Sequence, residues 1–203
     1  MQIKIARFFS IVFNPYFIPA FALLVVFNAG TYMDFLPFAV KRIAFYVVII
    51  LTCLIPLAFI PLFKYQNLIK DYFMSSTRDR YVPLLFNALC SGLGAYFLYH
   101  ISIMPLYIVL FMVSIGILSL ISLLISLKWK ISNHMMGMGG LTGVILGLIQ
   151  WNPASLPFYL ILSIIIAGFV GSSRLLLKAH TPLQVYAGYL AGVIIVYGTV
   201  MFA

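Results

Sequence analysis

Acidic residues are almost missing from this chain. Asp34, Asp71 and Asp79 are the only three in 203 residues, against 12 Lys and Arg. With so few carboxylates, a divalent cation site built from them is hard to assemble. Charge of either sign is scarce. Asp, Glu, Lys and Arg make up 7% of the residues, where a soluble domain carries about a quarter. The two cysteines, Cys53 and Cys90, sit inside apolar runs. They read as small buried hydrophobes, not as a disulfide or a metal pair. No linker, low-complexity tract or soluble appendage is visible, so residues 1–203 read as one integral-membrane domain.

Apolar side chains fill the space left. They account for 65% of the sequence, and several runs reach the roughly 20 residues that span a hydrocarbon core. Long continuous runs read as helices, not as the alternating strands of a barrel. The expected fold is all-α, a polytopic transmembrane bundle of six to seven spans. They fall at about Phe8–Ala29, Arg42–Phe63, Tyr81–His100, Ile103–Leu127, Met135–Trp151, Leu156–Gly171 and Pro182–Phe202. Pro15 and Pro19 interrupt the first, and the fifth is short and glycine-rich. Met1 to Phe13 carries Lys4 and Arg7 before an apolar run with no small-residue cleavage site, and reads as a retained first helix.

The polar chemistry gathers in three short stretches. They are Lys70-Asp71 with Arg78-Asp79-Arg80-Tyr81-Val82-Pro83, then Ser132-Asn133-His134, then Ser173-Arg174 with His180. In the seven-span map they follow spans two, four and six. Two crossings separate each from the next, so all three emerge on one face. Gly139, Gly143 and Gly147 recur at every fourth residue, as do Gly188 and Gly192. Small residues at that spacing let membrane helices approach closely. If these two faces meet, the starts of both helices lie together and bring His134 near His180.

Lys4, Arg7, Lys64, Lys70, Arg78, Arg80, Lys128, Lys130, Arg174 and Lys178 lie on the motif face, and only Lys41 and Arg42 lie opposite. That excess favours a cytoplasmic motif face. The scattered cations point to anionic lipid headgroups as partners and away from nucleic acid. Arg and Lys match phosphate oxygens in charge and geometry, and histidine serves as nucleophile or proton donor near neutral pH. Phosphoryl chemistry follows from that inventory. Other polar residues have plainer readings. Lys128 and Lys130 read as interface anchors beside Trp129, His100 as a satisfied interfacial residue, and Asp71 and Asp79 as counter-charges to Lys70, Arg78 and Arg80.

From about Lys70 to Gly192 the chain resembles the type 2 phosphatidic acid phosphatase superfamily of membrane lipid phosphatases, which also includes soluble acid phosphatases and vanadium haloperoxidases. The family pattern is Lys with Arg-Pro, then Pro-Ser-Gly-His, then Ser-Arg, five residues, His, three residues and Asp. Ser173-Arg174 and His180 reproduce the third element. Ser132-Asn133-His134 keeps the Ser and His of the second. Lys70 and either Arg80 or Arg78, with Arg80 favoured, stand for the first.

The resemblance implies a metal-independent, cofactor-free hydrolase of amphiphilic phosphate esters. In it His180 attacks and forms a phosphohistidine, and His134 protonates the leaving group. Lys70, Arg78 or Arg80, Ser132, Asn133 and Arg174 hold the phosphate. A site at the bilayer rim suits a lipid phosphate whose tail stays in the bilayer. The resemblance also implies a bacterial cytoplasmic (inner) membrane location. There the site of family members generally faces outward, against the charge count. Gln184 stands where the family has Asp. An amide accepts the same hydrogen bond without the charge, and Thr181-Pro182-Leu183-Gln184 also reads as a capping box with Pro at the first helical position. A non-catalytic relative that binds a phospholipid or pyrophosphate headgroup is the alternative, supported by Gln184 and the altered first two motifs.

Overall fold

The computed structural model describes residues 2–72, 74, 76–150 and 156–203. Among them every regular element is helical: α1 (Gln2–Val12), α2 (Ile18–Val26), α3 (Phe38–Ile49), α4 (Ile55–Tyr65), α5 (Tyr81–Tyr99), α6 (Leu106–Ser126), α7 (Asn133–Ile149), α8 (Leu156–Leu176) and α9 (Pro182–Val200). Among the described residues five stretches are long and apolar enough to cross a membrane: Phe38–Tyr65, Arg78–Tyr99, Leu106–Ser126, Pro157–Leu176 and Pro182–Val200. The first of these joins α3 to α4 through one wide π turn, Ile50–Leu54. Pro56, just past that turn, has no N–H to give the ladder, and the turn absorbs the loss without ending the helix.

Two expected spans look different. The run from Phe8 to Ala29 is not continuous. The chain turns between α1 and α2, where the Asn14 side chain accepts from the Tyr16 N–H at 3.1 Å and Pro15 cannot continue the ladder. α7 is the short glycine-rich helix and reaches Ile149; the expected end of that span at Trp151 lies outside the described residues. The sixth span runs on past Gly171 to Leu176, which puts Ser173 and Arg174 on helix α8.

The most extensive helix–helix contact among the described residues joins α7 to α9. The glycine stripes make it. A methyl group on Gly139 would collide with the Tyr189 carbonyl and stand 2.9 Å from the Val193 nitrogen; on Gly143 it would lie 2.8 Å from the Val193 oxygen. From the other side, Gly192 lies against the Met136 carbonyl and the Gly140 nitrogen, and Gly188 against the Ser132 oxygen. The obstacles are backbone atoms, which cannot swing aside as side chains do. α7 also packs on α8 and α2, so this short helix occupies the centre of the bundle.

Gly139→Ala and Gly192→Ala are expected to force the two backbones apart and cost about 1–3 kcal/mol each, read as earlier thermal unfolding in detergent. Gly168 has open space at its missing Cβ, so Gly168→Ala is expected to hold or raise the unfolding temperature, alanine being the better helix former.

Candidate active site

The three polar stretches are tied together at one end of the bundle. Arg80 Nη1 donates to the Ile131 carbonyl at 2.8 Å, joining the loop after α4 to the loop after α6. The Ser132 N–H donates to the Gln184 carbonyl at 3.4 Å, and His180 Nδ1 lies 3.2 Å from the Lys130 carbonyl. These contacts join the loop after α6 to the turn between α8 and α9. Arg80, Lys130, Asn133, His134, Arg174 and His180 all line a single cavity of about 1120 Å³.

His180 is placed by the turn that ends α8. Lys178 takes a left-handed conformation with φ of 51°, and the Ala179 N–H reaches back to the Arg174 carbonyl at 3.1 Å, the 6→1 bond of a helix C-terminal stop. Pro182 then opens α9. His180 Nδ1 also lies 3.1 Å from Gln184 Oε1, and the same oxygen accepts the Thr181 N–H at 3.2 Å. Both neighbours of Nδ1 are acceptors, so Nδ1 carries the proton and Nε2 the lone pair. Gln184 therefore caps α9 and orients the imidazole, the two roles its position suggested.

Burial, reinforced by the charge of Arg80 and then of Arg174 and Lys130, pushes the His180 pKa down to about 4, with the Gln184 bond pulling the other way. Lys130 is also shifted down, first by burial and then by Arg80 and Arg174, while Asp71 opposes the shift. The cations crowd one another. The Arg174 Nε is buried with no hydrogen-bond partner among the described residues. Such a cluster favours an anion with several oxygens.

The remaining expected residues have distinct placements. Asn133 Oδ1 accepts from Ser122 at 2.6 Å, which fixes the amide at the start of α7. Ser132 is fully buried at the cap of α7, and its Oγ has no partner among the described residues. It does not line the cavity. Of the two arginines, Arg80 is buried and Arg78 exposed. They flank Asp79 in a 3₁₀ turn, where residues two apart project to different sides, and only Arg80 lines the cavity. The Lys70 side chain is exposed outside the cavity lining; its backbone N–H donates to Asp79 Oδ1 at 3.2 Å. Asp79 thus braces the loop through Lys70's backbone. His100 lies elsewhere, its Nδ1 2.9 Å from the Tyr96 carbonyl of its own helix.

Two residues at the site were not anticipated. Lys130, read as an interface anchor, lines the cavity. Ser10 of α1 is buried between the other two motifs: its carbonyl accepts from His134 Nε2 at 3.0 Å, and its hydroxyl accepts from Arg174 Nη1 at 3.2 Å. A signal for Ser10 was present. Arg7, Ser10 and Asn14 recur at helical spacing, and all three line the cavity. Phe9 stacks on Phe169 with centroids 5.4 Å apart and fixes α1 on α8.

Among the described residues no three His, Cys, Asp or Glu side chains gather as metal ligands. No family model, curated protein or solved structure matches the chain.

The His180 titration gives a direct check. In the folded protein the ring is expected to stay neutral until the pH falls to about 4, against about 6.5 when unfolded. Between those values the unfolded chain binds more protons, so stability is expected to rise with pH across that window. Arg80→Gln removes a positive neighbour and is expected to move the His180 pKa upward, followed by histidine NMR in detergent.

Proposed function

We propose that the chain is a membrane phosphatase for amphiphilic phosphate esters, a divergent relative of the type 2 phosphatidic acid phosphatases. The observation that carries this reading is His180. Its Nδ1 proton is held by Gln184 and the Lys130 carbonyl, and it shares a cavity with Arg80, Arg174 and His134. An imidazole with a fixed tautomer, next to guanidinium groups that attract phosphate, meets the needs of nucleophilic attack on a phosphoester.

In this reading Arg80, Arg174 and Lys130 bind the phosphate oxygens, helped by the N-terminal end of α7. Nε2 of His180 attacks phosphorus as the ester P–O bond breaks, giving a phosphohistidine and an alkoxide. His134, as an imidazolium beside the bound dianion, gives its Nδ1 proton to that alkoxide while Nε2–H stays on the Ser10 carbonyl. Water then attacks the phosphohistidine, His134 takes the water's proton, and inorganic phosphate leaves. Positive charge stabilises the transferring group throughout. α7 and the broken α1–α2 pair supply the sixth and seventh crossings of a bacterial cytoplasmic-membrane protein, with the site at the motif face.

The alternative is a relative that binds a phosphorylated headgroup without turnover. It draws on Gln184, which brings no negative charge to the imidazolium that forms on His180. In serine proteases a comparable carboxylate-to-amide change costs roughly 10⁴ in rate.

Purified protein is expected to release phosphate from lipid phosphates in the presence of chelator, with release abolished in His180→Ala. Absence of release from every lipid phosphate, with folded protein still binding them, would move the reading to the headgroup binder. Gln184→Asp is expected to raise the release rate, and Gln184→Leu to lower it by about 10²-fold or more as the ring loses its orientation. Equal rates in all three would remove Gln184 from the mechanism.

A further inference from the structure

The cavity is far larger than a phosphate requires. Ligand pockets for drug-sized molecules span roughly 300–1,000 Å³, and this one holds about 1120 Å³. Its cations are gathered at one end, while Asn87 and Ser119, bonded to each other at 2.7 Å, are polar wall residues further in. From His180 and Arg174 the lining passes to Ile115 and Phe111 on α6, Leu141 on α7, Ala22 on α2 and Val196 on α9. Leu141 lies eight residues beyond Asn133 on α7, a descent of about 12 Å at the rise of an α-helix. Phe111 stands eleven residues before Ser122 on α6, and Ser122 bonds Asn133 at the mouth, which gives about 16 Å by the same measure. Phe111, Leu141 and Val196 are all buried core residues, so the deep end is closed by packed side chains. The sides are less closed. Ile11 of α1 and Pro61 of α4 both line the cavity and are exposed.

A mostly apolar shaft about 12–16 Å deep, with cations at its mouth, fits one ligand chemistry: a phosphate carried on a hydrocarbon chain. We infer that the hydrocarbon of the substrate lies inside the bundle, entering between α1 and α4, and that Phe111, Leu141 and Val196 form a floor that limits its length. This rests on the phosphatase reading and sharpens it. The rim position of the motifs alone suggests a tail left in the bilayer. The cavity instead makes the protein the solvent for the tail, and selects substrates by chain length as well as by phosphate. Burial of each methylene in the shaft adds binding energy until the floor is reached, after which added length has to bend or leave.

The test uses the full chain and a series of alkyl phosphates from hexyl to eicosyl. Phosphate release reports turnover, and the shift in unfolding temperature reports binding without turnover. Release and thermal stabilisation are expected to rise with chain length, pass through an optimum near a chain of about 12–16 Å, and fall about tenfold or more beyond it. Phe111→Ala lowers the floor and is expected to move the optimum to longer chains. Ala22→Phe narrows the shaft and is expected to move it to shorter ones. A length optimum in binding without any release keeps the tail site and sinks the hydrolase. Release without a length optimum, or with an optimum that neither substitution moves, sinks the tail site and keeps the hydrolase. Neither release nor stabilisation by any alkyl phosphate overturns both.

Discussion

The approach of α7 to α9, backbone against backbone, governs everything placed at the mouth of the bundle. Without Cβ atoms at Gly139, Gly143, Gly188 and Gly192, main-chain atoms of the two helices come into contact. Dispersion between helices at this range holds them where lipid offers no hydrophobic push. Because the starts of the two helices are set together, the loop before α7 and the turn before α9 share hydrogen bonds. Ser132 meets the Gln184 carbonyl and Lys130 meets His180. Separating the helices by one methyl group would strain both contacts at once.

Upon that frame sits an unusual electrostatic situation. Arg80, Lys130 and Arg174 converge where the chain has few acids to offer, and Asp79 is turned toward the Lys70 backbone. Carbonyl oxygens of Ile131 and Met74 supply part of the compensation for Arg80. Carbonyls orient a guanidinium without neutralising it. The site is therefore rigidly built and still carries net positive charge, the condition under which a doubly charged ligand gains most from leaving water.

Much of the fold could be read from residue order, because spacing along a helix is a local property. The glycine stripes and the apolar runs are periodicities, and the chain is helical where they fall, though the run from Phe8 to Ala29 is broken into two helices. What escaped depends on how distant segments dock. Arg80 is only narrowly favoured over Arg78 in sequence, and the seating of a short 3₁₀ turn decides which one is buried. Lys130 looked like an anchor because it follows Lys128 and Trp129, yet the bond from Arg80 to Ile131 draws its loop inward. Ser10 lies 124 residues from one partner and 164 from the other, separations no local pattern reports. The cavity's depth was hidden for the same reason: its wall is shared by helices from both halves of the chain.

The Ser10 contacts also bear on how the protein is made. α1 leaves the ribosome well before α7 and α8, which carry His134 and Arg174. Contacts of such long sequence separation form late, since the intervening loop must close before they reward it. The surroundings of His134 and Arg174 are consequently completed only when an early segment meets later ones. Until then the cation cluster stays unassembled, and a truncated or misfolded chain lacks it.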